Sequence, residues 1–272
     1  MTEALPPIVE LRNVSKWFPD AQSGDRMVTV KDINLVIHDK PDAGEFVVFL
    51  GPSGCGKSTI MQMIAGMLQP DAGEVLIFGK PQTGPNPSSV TVPQAYTCFP
   101  WLTVQGNVEF GLRIEGTPAE ERSKLAAEYL AKVGLAERKQ AYPKQLSGGM
   151  QQRVAIARTL AMKPPIVLMD EPFGALDAQT RAEMQQTLAK LWAEEKNLVI
   201  FITHDITEAI LLADRILVFS PCPAQIVHDF TVPFPRPRTA SLAYDTEFIN
   251  MSQTLLQLLK KAPSTGQVRV SI

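Results

Sequence analysis

Cysteine is scarce in this 272-residue chain, and Cys55, Cys98 and Cys222 are odd in number and lack metal-ligand spacing. They offer neither a disulfide framework nor a zinc site, and they fit a reducing compartment. Long apolar runs are missing too. Stretches such as Phe46 to Leu50, Ile166 to Met169 and Leu198 to Ile202 are strand-sized, far short of the roughly 20 residues a membrane-spanning helix needs. The chain is therefore expected not to cross a bilayer itself. Met1 to Glu10 contain Pro6 and Pro7 but no basic region followed by an apolar one; no secretory signal is expected, and the chain reads as cytoplasmic. Neither sign of charge dominates: 26 Lys and Arg against 28 Asp and Glu leave a net charge of −2. No global basic excess argues for nucleic acid as a partner. Internal repeats and low-complexity tracts are also lacking.

What is present is an ordinary globular composition, 45% hydrophobic and 20% charged, able to supply a large core. After residue 44, apolar runs bounded by Gly, Pro and Asp alternate with longer segments of helical period, the pattern of an α/β fold with a parallel sheet. Ile8 to Val14 and Val28 to Ile37 alternate apolar with polar residues and predict half-buried antiparallel strands at the edge of that sheet. Ile60 to Leu68 predicts a helix, and Gly66, Pro70 and Gly73 punctuate its exit toward a short strand over Glu74 to Phe78. From about Thr103 to Met162 strand signals fade and helical ones, such as Pro118 to Val133, take over; this stretch is expected to be a helical subdomain inserted into the core. Strand signals return at Ile166 to Met169, Val199 to Thr203 and Ile216 to Phe219, with a helix over Ala178 to Glu195 between the first two. Pro233 to Arg238 should be extended, because each proline disfavours helix in the residue before it. Beyond it Phe248, Met251, Leu255, Leu256 and Leu259 share one helix face, which either packs on the core or meets a partner.

The strongest local signal is Gly51-Pro52-Ser53-Gly54-Cys55-Gly56-Lys57-Ser58, a P-loop pattern lying between the strand Phe46 to Leu50 and a predicted helix. Its glycines let the backbone wrap closely around phosphate oxygens, so that successive N–H groups and the helix N-terminus face negative charge. Lys57 adds a mobile charge toward the β- and γ-phosphates, Ser58 offers a hydroxyl to Mg²⁺, and Thr59 is placed for the α-phosphate. Cys55 is read as a small filler of the loop. A second element, Ile166 to Met169 followed by Asp170 and Glu171, is an apolar strand ending in two carboxylates. Such an end delivers charge to the edge of the sheet where ligands bind. Asp170 is the expected Mg²⁺ partner and Glu171 the general base for an attacking water, a role contributing about 10²- to 10⁴-fold in rate. In Leu146-Ser147-Gly148-Gly149-Met150-Gln151-Gln152-Arg153, Ser147 is a good helix N-cap followed by two glycines, a second set of N–H groups at the positive end of a helix.

That last string resembles the signature of the ABC ATPases, with Met150 standing where Gln is usual. Other elements of the family follow in order. Gln94, in Val92 to Trp101, resembles the loop glutamine that senses Mg²⁺ and water, although Pro93 stands where Phe is usual. Ala175-Leu176-Asp177 resembles the D-loop that crosses between subunits. His204 matches the switch histidine that bonds the γ-phosphate. Phe18 is the candidate to stack on adenine, with Trp17 the alternative. The resemblance implies a P-loop NTPase core of RecA-like type over residues 1–235, with the helical insertion at about 103–162 and a tail over 236–272. It also implies an ATPase in which Ser147, Gly148 and Gly149 of one subunit close on the ATP and Mg²⁺ held by another, identical or homologous, subunit.

Finer similarity, in Phe99 to Val104, Glu171 to Arg181 and Arg236-Pro237-Arg238, is to importer subunits for nitrate, sulfonates and taurine. From it follow transmembrane permease subunits and a solute-binding protein as partners, and a peripheral position on the cytoplasmic face of the inner membrane. Soluble family members that act on ribosomes or DNA carry two cassettes or a long coiled coil, and this chain has neither. A non-hydrolysing role is disfavoured because Lys57, Asp170, Glu171 and His204 are all in place.

Overall fold

The computed structural model describes residues 6–19, 25–38, 40, 43–94, 97–261 and 269–270. The chain divides into two compact units, one formed by residues 1–86 with 198–272 and the other by residues 87–197. In chain order the elements are β1 (Pro7–Pro19), β2 (Arg26–His38), β3 (Glu45–Leu50), α1 (Lys57–Ile64), β4 (Ala72–Ile77), β5 (Lys80–Pro81) and β6 (Ser89–Val92). Then come α2 (Val104–Ile114), α3 (Ala119–Lys132), α4 (Gly148–Ala161), β7 (Ile166–Asp170) and α5 (Ala178–Glu195). The last are β8 (Leu198–Thr203), α6 (Ile206–Leu212), β9 (Arg215–Phe219), β10 (Ile226–Thr231), α7 (Thr246–Lys261) and β11 (Arg269–Val270).

In the first unit β3 lies between β8 and β9, parallel to both, and β10 pairs antiparallel with β9. Every residue of β3 and β8 is buried. Continuous apolar sequence is what a strand covered on both faces requires, and the rings of Phe46 with Phe201 and Phe49 with Phe219 meet at centroid distances of 5.7 and 5.0 Å. Each such buried side chain contributes about 1.5–3 kcal/mol.

The alternating segments near the N-terminus do pair antiparallel, Leu11 opposite Leu35 and Trp17 opposite Val28. They stand, however, in a sheet of their own, in the order β11-β2-β1-β4-β5. One face explains the alternation: Val28, Val30, Ile33, Leu35 and Ile37 are buried, while Lys31, Asn34 and His38 are exposed. The step of three between Val30 and Ile33 is a bulge. Asn13 and Asp32 adopt positive φ there, the Asp32 amide donates to Ser15 Oγ at 2.9 Å, and Asn34 Nδ2 donates to Asn13 Oδ1 at 3.0 Å.

The second unit holds the parallel pair β6 and β7, with Ser89 opposite Ile166 and Val92 opposite Met169, together with α2, α3, α4 and α5. Helices α2 to α4 fall within the stretch where the sequence turns helical. Thr103 caps α2, its Oγ1 accepting from the Gly106 amide at 3.0 Å, and Asp177 caps α5, its Oδ1 accepting from the Thr180 amide at 3.0 Å. Buried Met184, Leu188, Leu191 and Trp192 form the inner stripe of α5. No helix among the described residues is long and apolar enough to cross a membrane.

Residues 232–238 after β10 form no helix or strand. Helix α7 buries Phe248 and Leu255, and Phe234 meets the Phe248 ring at 6.0 Å. Leu256, on the edge of the predicted apolar face, is exposed.

Candidate functional site

The P-loop occupies residues 51–58, from the end of β3 into the first turn of α1. Gly56 is the N-cap of α1 at φ 113°, and a Cβ there would lie 2.8 Å from the Thr29 carbonyl oxygen. The conformation and the close approach both demand glycine. Gly56 has no side chain and the first turn of α1 contains no acidic residue, so neither supplies a carboxylate to the amides at that helix end. Lys57 is buried, and its Nζ donates to the carbonyls of Gly51 and Pro52, each at 2.8 Å, and lies 3.5 Å from Cys55 Sγ. An ammonium has three protons, so contact with a phosphate means exchanging partners within the loop. Cys55 is buried, as expected of a filler. Ser58 and Thr59 are half-buried in the first turn of α1.

Three further candidate residues belong to the same unit. His204 follows the last residue of β8 and is exposed. Phe18 and Trp17 sit near the end of β1, opposite Met27 and Val28, with Lys16 Nζ 5.6 Å from the Phe18 ring centroid and the Arg26 guanidinium 5.5 Å from that of Trp17. Neighbouring residues of a strand face opposite sides. One of these two rings can therefore lie over a base, but not both.

The second unit gathers the carboxylates, the loop glutamine, the signature turn and the D-loop. Val92 and Met169 are paired at the ends of β6 and β7, so Gln94 and the Asp170-Glu171 pair emerge from the same edge. Glu171 has φ 42°, outside the region that ordinary residues favour. Its carbonyl accepts from the Gly174 amide at 3.1 Å, which closes a turn and redirects the side chain. A Cβ placed on Gly174 would stand 3.8 Å from Glu171 Oε2 and 3.9 Å from Gln94 Nε2. The carboxylate and the amide thus converge on one small space, kept open because residue 174 is glycine.

Ser147 caps α4, its Oγ accepting from the Met150 amide at 3.3 Å. A Cβ on Gly149 would come within 2.6 Å of Thr180 Cγ2 and 3.6 Å of Leu176. The signature turn and the Asp177 turn are therefore in direct contact, and the second signature glycine is what permits it. Asp177 is exposed; the Thr180 amide and hydroxyl hold its carboxyl below the ordinary range.

Two residues absent from the sequence reading shape the loop after Gln94, of which Ala95 and Tyr96 lie outside the described residues. Buried Asn107 accepts from the Phe99 amide at 2.7 Å and donates to the carbonyls of Phe99, Leu102 and Thr103 at 3.1, 3.2 and 2.9 Å. Arg158 of α4 donates to Thr97 O and Oγ1 at 2.9 and 2.8 Å and lies 5.1 Å from the Phe99 ring centroid. Burial lowers its pKa. A polar residue among the apolar positions of α2 and α4 was the available signal for both. The loop so braced presents Trp101, 69% exposed.

No group of three or more His, Cys, Asp or Glu side chains among the described residues converges as a metal cluster. Mg²⁺ seldom needs one, since it takes one or two protein oxygens and completes its shell with phosphates and waters. The hydroxyl of Ser58, the carboxylate of Asp170 and the amide of Gln94 are hard oxygen donors of that kind.

Residues 31–174 match the family model described as ABC transporter. The chain is 43% identical to the nitrate import ATP-binding protein NrtD of Synechocystis sp. over 86% of its own length and 89% of that protein's. It is 48% identical to the taurine import ATP-binding protein TauB of Chromobacterium violaceum, over 78% and 84% respectively. Among solved structures it resembles a dimeric ATP-binding cassette in a post-hydrolysis state bound to ADP and Pi, with 33% identity and a TM-score of 0.69 over 84% of this chain and all of that one. The chain belongs to the ABC transporter family, as an ATP-binding and ATP-hydrolysing subunit.

Proposed function

We propose that this subunit powers import of nitrate, taurine, another sulfonate or a similar small solute. The reading rests on the identity of 43% and 48% to nitrate and taurine import proteins along most of the chain. Two copies, or one copy and a homologue, sandwich two ATP molecules. In each site the P-loop amides and Lys57 of one subunit hold the phosphates, Phe18 or Trp17 carries the adenine, and Ser147, Gly148 and Gly149 of the other subunit close on the γ-phosphate. Asp177 crosses between them. Mg²⁺, held by Ser58, Asp170 and Gln94, would neutralise phosphate charge. Glu171 takes a proton from the attacking water, Gln94 orients that water, and His204 bonds the γ-phosphate. Loss of the γ-phosphate removes the bridge between subunits and the sandwich opens.

Residues 1–235 form the nucleotide-binding domain, with about 103–162 as its helical insertion, and residues 236–272 form the tail. The braced loop with exposed Trp101 receives a helix of the permease, which places the subunit on the cytoplasmic face of the inner membrane. A solute-binding protein delivers the cargo. Deleting the gene and measuring uptake of labelled nitrate and taurine tests the reading. Loss of one uptake, restored by the intact gene and not by a Glu171→Gln copy, is expected; unchanged uptake of both, and of other sulfonates, would sink it.

A further inference from the structure

Arg236 and Arg238, in the segment after β10, take no part in the hydrolytic site described above, yet both turn inward onto the end of one helix. Arg236 Nε donates to Asp214 Oδ1 at 2.9 Å, and its Nη2 to the Leu212 carbonyl. The Arg238 side chain is only 3% exposed. Its Nη1 donates to the carbonyls of Ile210, at 2.9 Å, and Ala213, while Nε and Nη2 share the Phe234 carbonyl at 3.0 and 2.8 Å. Ile210, Leu212 and Ala213 make up the C-terminal end of α6, where carbonyls lack intrahelical partners and cations are favoured. Burial, with Arg236 nearby and partly offset by Asp214, lowers the Arg238 pKa to about 10, so it remains cationic at neutral pH.

Asp214 extends the clamp to the sheet. Its Oδ2 accepts from the Phe46 amide at 2.9 Å, its own amide donates to the Phe46 carbonyl at 2.7 Å, and its carbonyl accepts from Val232 at 2.9 Å. Phe46 lies at the base of β3, the strand that leads into the P-loop. The other end of α6 begins beside His204: the Asp205 amide donates to Thr203 Oγ1 at 3.0 Å, and Asp205 Oδ1 accepts from the Glu208 amide at 3.0 Å. Helix α6 has only seven residues, too few to be stable alone. Its buried Ala209, Ile210 and Leu212 provide non-directional adhesion. Directional bonds at its two ends fix where it points.

We propose that Arg236 and Arg238 are positioning residues for ATP hydrolysis, holding the far end of α6 so that the turn from β8 presents His204 at the γ-phosphate. This rests on the role given to His204 above. The test is a double-mutant cycle on the full chain, reading steady-state hydrolysis and equilibrium binding of a fluorescent ATP analogue. Arg238→Ala is expected to lower kcat about tenfold with KM for Mg·ATP and analogue affinity within about twofold, and to cost nothing further in a His204→Ala background. Arg236→Ala leaves the deeper arginine in place and is expected to lower kcat about threefold in the same pattern; it carries the test if Arg238→Ala does not fold. The same fold loss with and without His204 would overturn the proposal, as would a raised KM at unchanged kcat or no loss in either variant. Parental turnover by His204→Ala alone would overturn both the histidine's role and this inference.

Discussion

Two helix starts in this chain are read as anion cradles, and they are built differently. Helix α1 begins at Gly56, which has no side chain to use up an amide, and the buried ammonium of Lys57 follows at once. Helix α4 begins at Ser147, whose own hydroxyl already accepts from the Met150 amide. The first has a glycine-rich loop and a charge of its own. The second has part of its capacity satisfied and no cation beside it in Ser147-Gly148-Gly149. It is suited to completing a site, not to founding one.

The contrast makes the two regions separable by mutation. The largest effect is expected for Glu171→Gln, which keeps ATP bound and lowers turnover by at least ~10²-fold; a stable nucleotide-bound dimer on size exclusion, with phosphate release nearly abolished, is the outcome to look for. Lys57→Ala removes the only charge in the P-loop and is expected to weaken equilibrium ATP binding by about 10- to 100-fold, from ~1.5–3 kcal/mol for a charged hydrogen bond. Ser147→Arg should leave ATP affinity of the single subunit nearly intact while lowering hydrolysis about tenfold, ~1.4 kcal/mol, through failure to close. If Ser147→Arg instead weakens binding by a monomer as Lys57→Ala does, the distinction between the two helix starts is lost. Smallest is the base platform: Phe18→Ala or Trp17→Ala, one of them and not both, should weaken ATP binding about fivefold, ~1 kcal/mol, without changing triphosphate affinity. Competition between ATP and inorganic triphosphate reads that difference.

Much of this was legible in the sequence because it is local. The P-loop is eight consecutive residues, and α5 runs from Ala178 to Glu195 as the sequence predicts. Caps, turns and strand runs are decided within a few residues of themselves. The sheet to which β1 belongs was not legible, since its pairing with β4, Leu11 opposite Val75, joins segments whose alternation says only that one face is buried. Nor were Asn107 and Arg158, whose carbonyl partners cannot be named from spacing.

The sequence by itself determined the chemistry: phosphate-wrapping glycines, a lysine, two carboxylates at a strand end, and a capped glycine turn. Only the tertiary structure decided that Glu171 and Gln94 converge beside Gly174, that Thr180 abuts the signature glycine, and that two tail arginines grip the helix after His204. The physical reason is separation along the chain. Asp214 and Phe46 are 168 residues apart and Arg238 and Ile210 are 28 apart, and a hydrogen bond to a backbone carbonyl leaves no trace in the identity of the residue that accepts it.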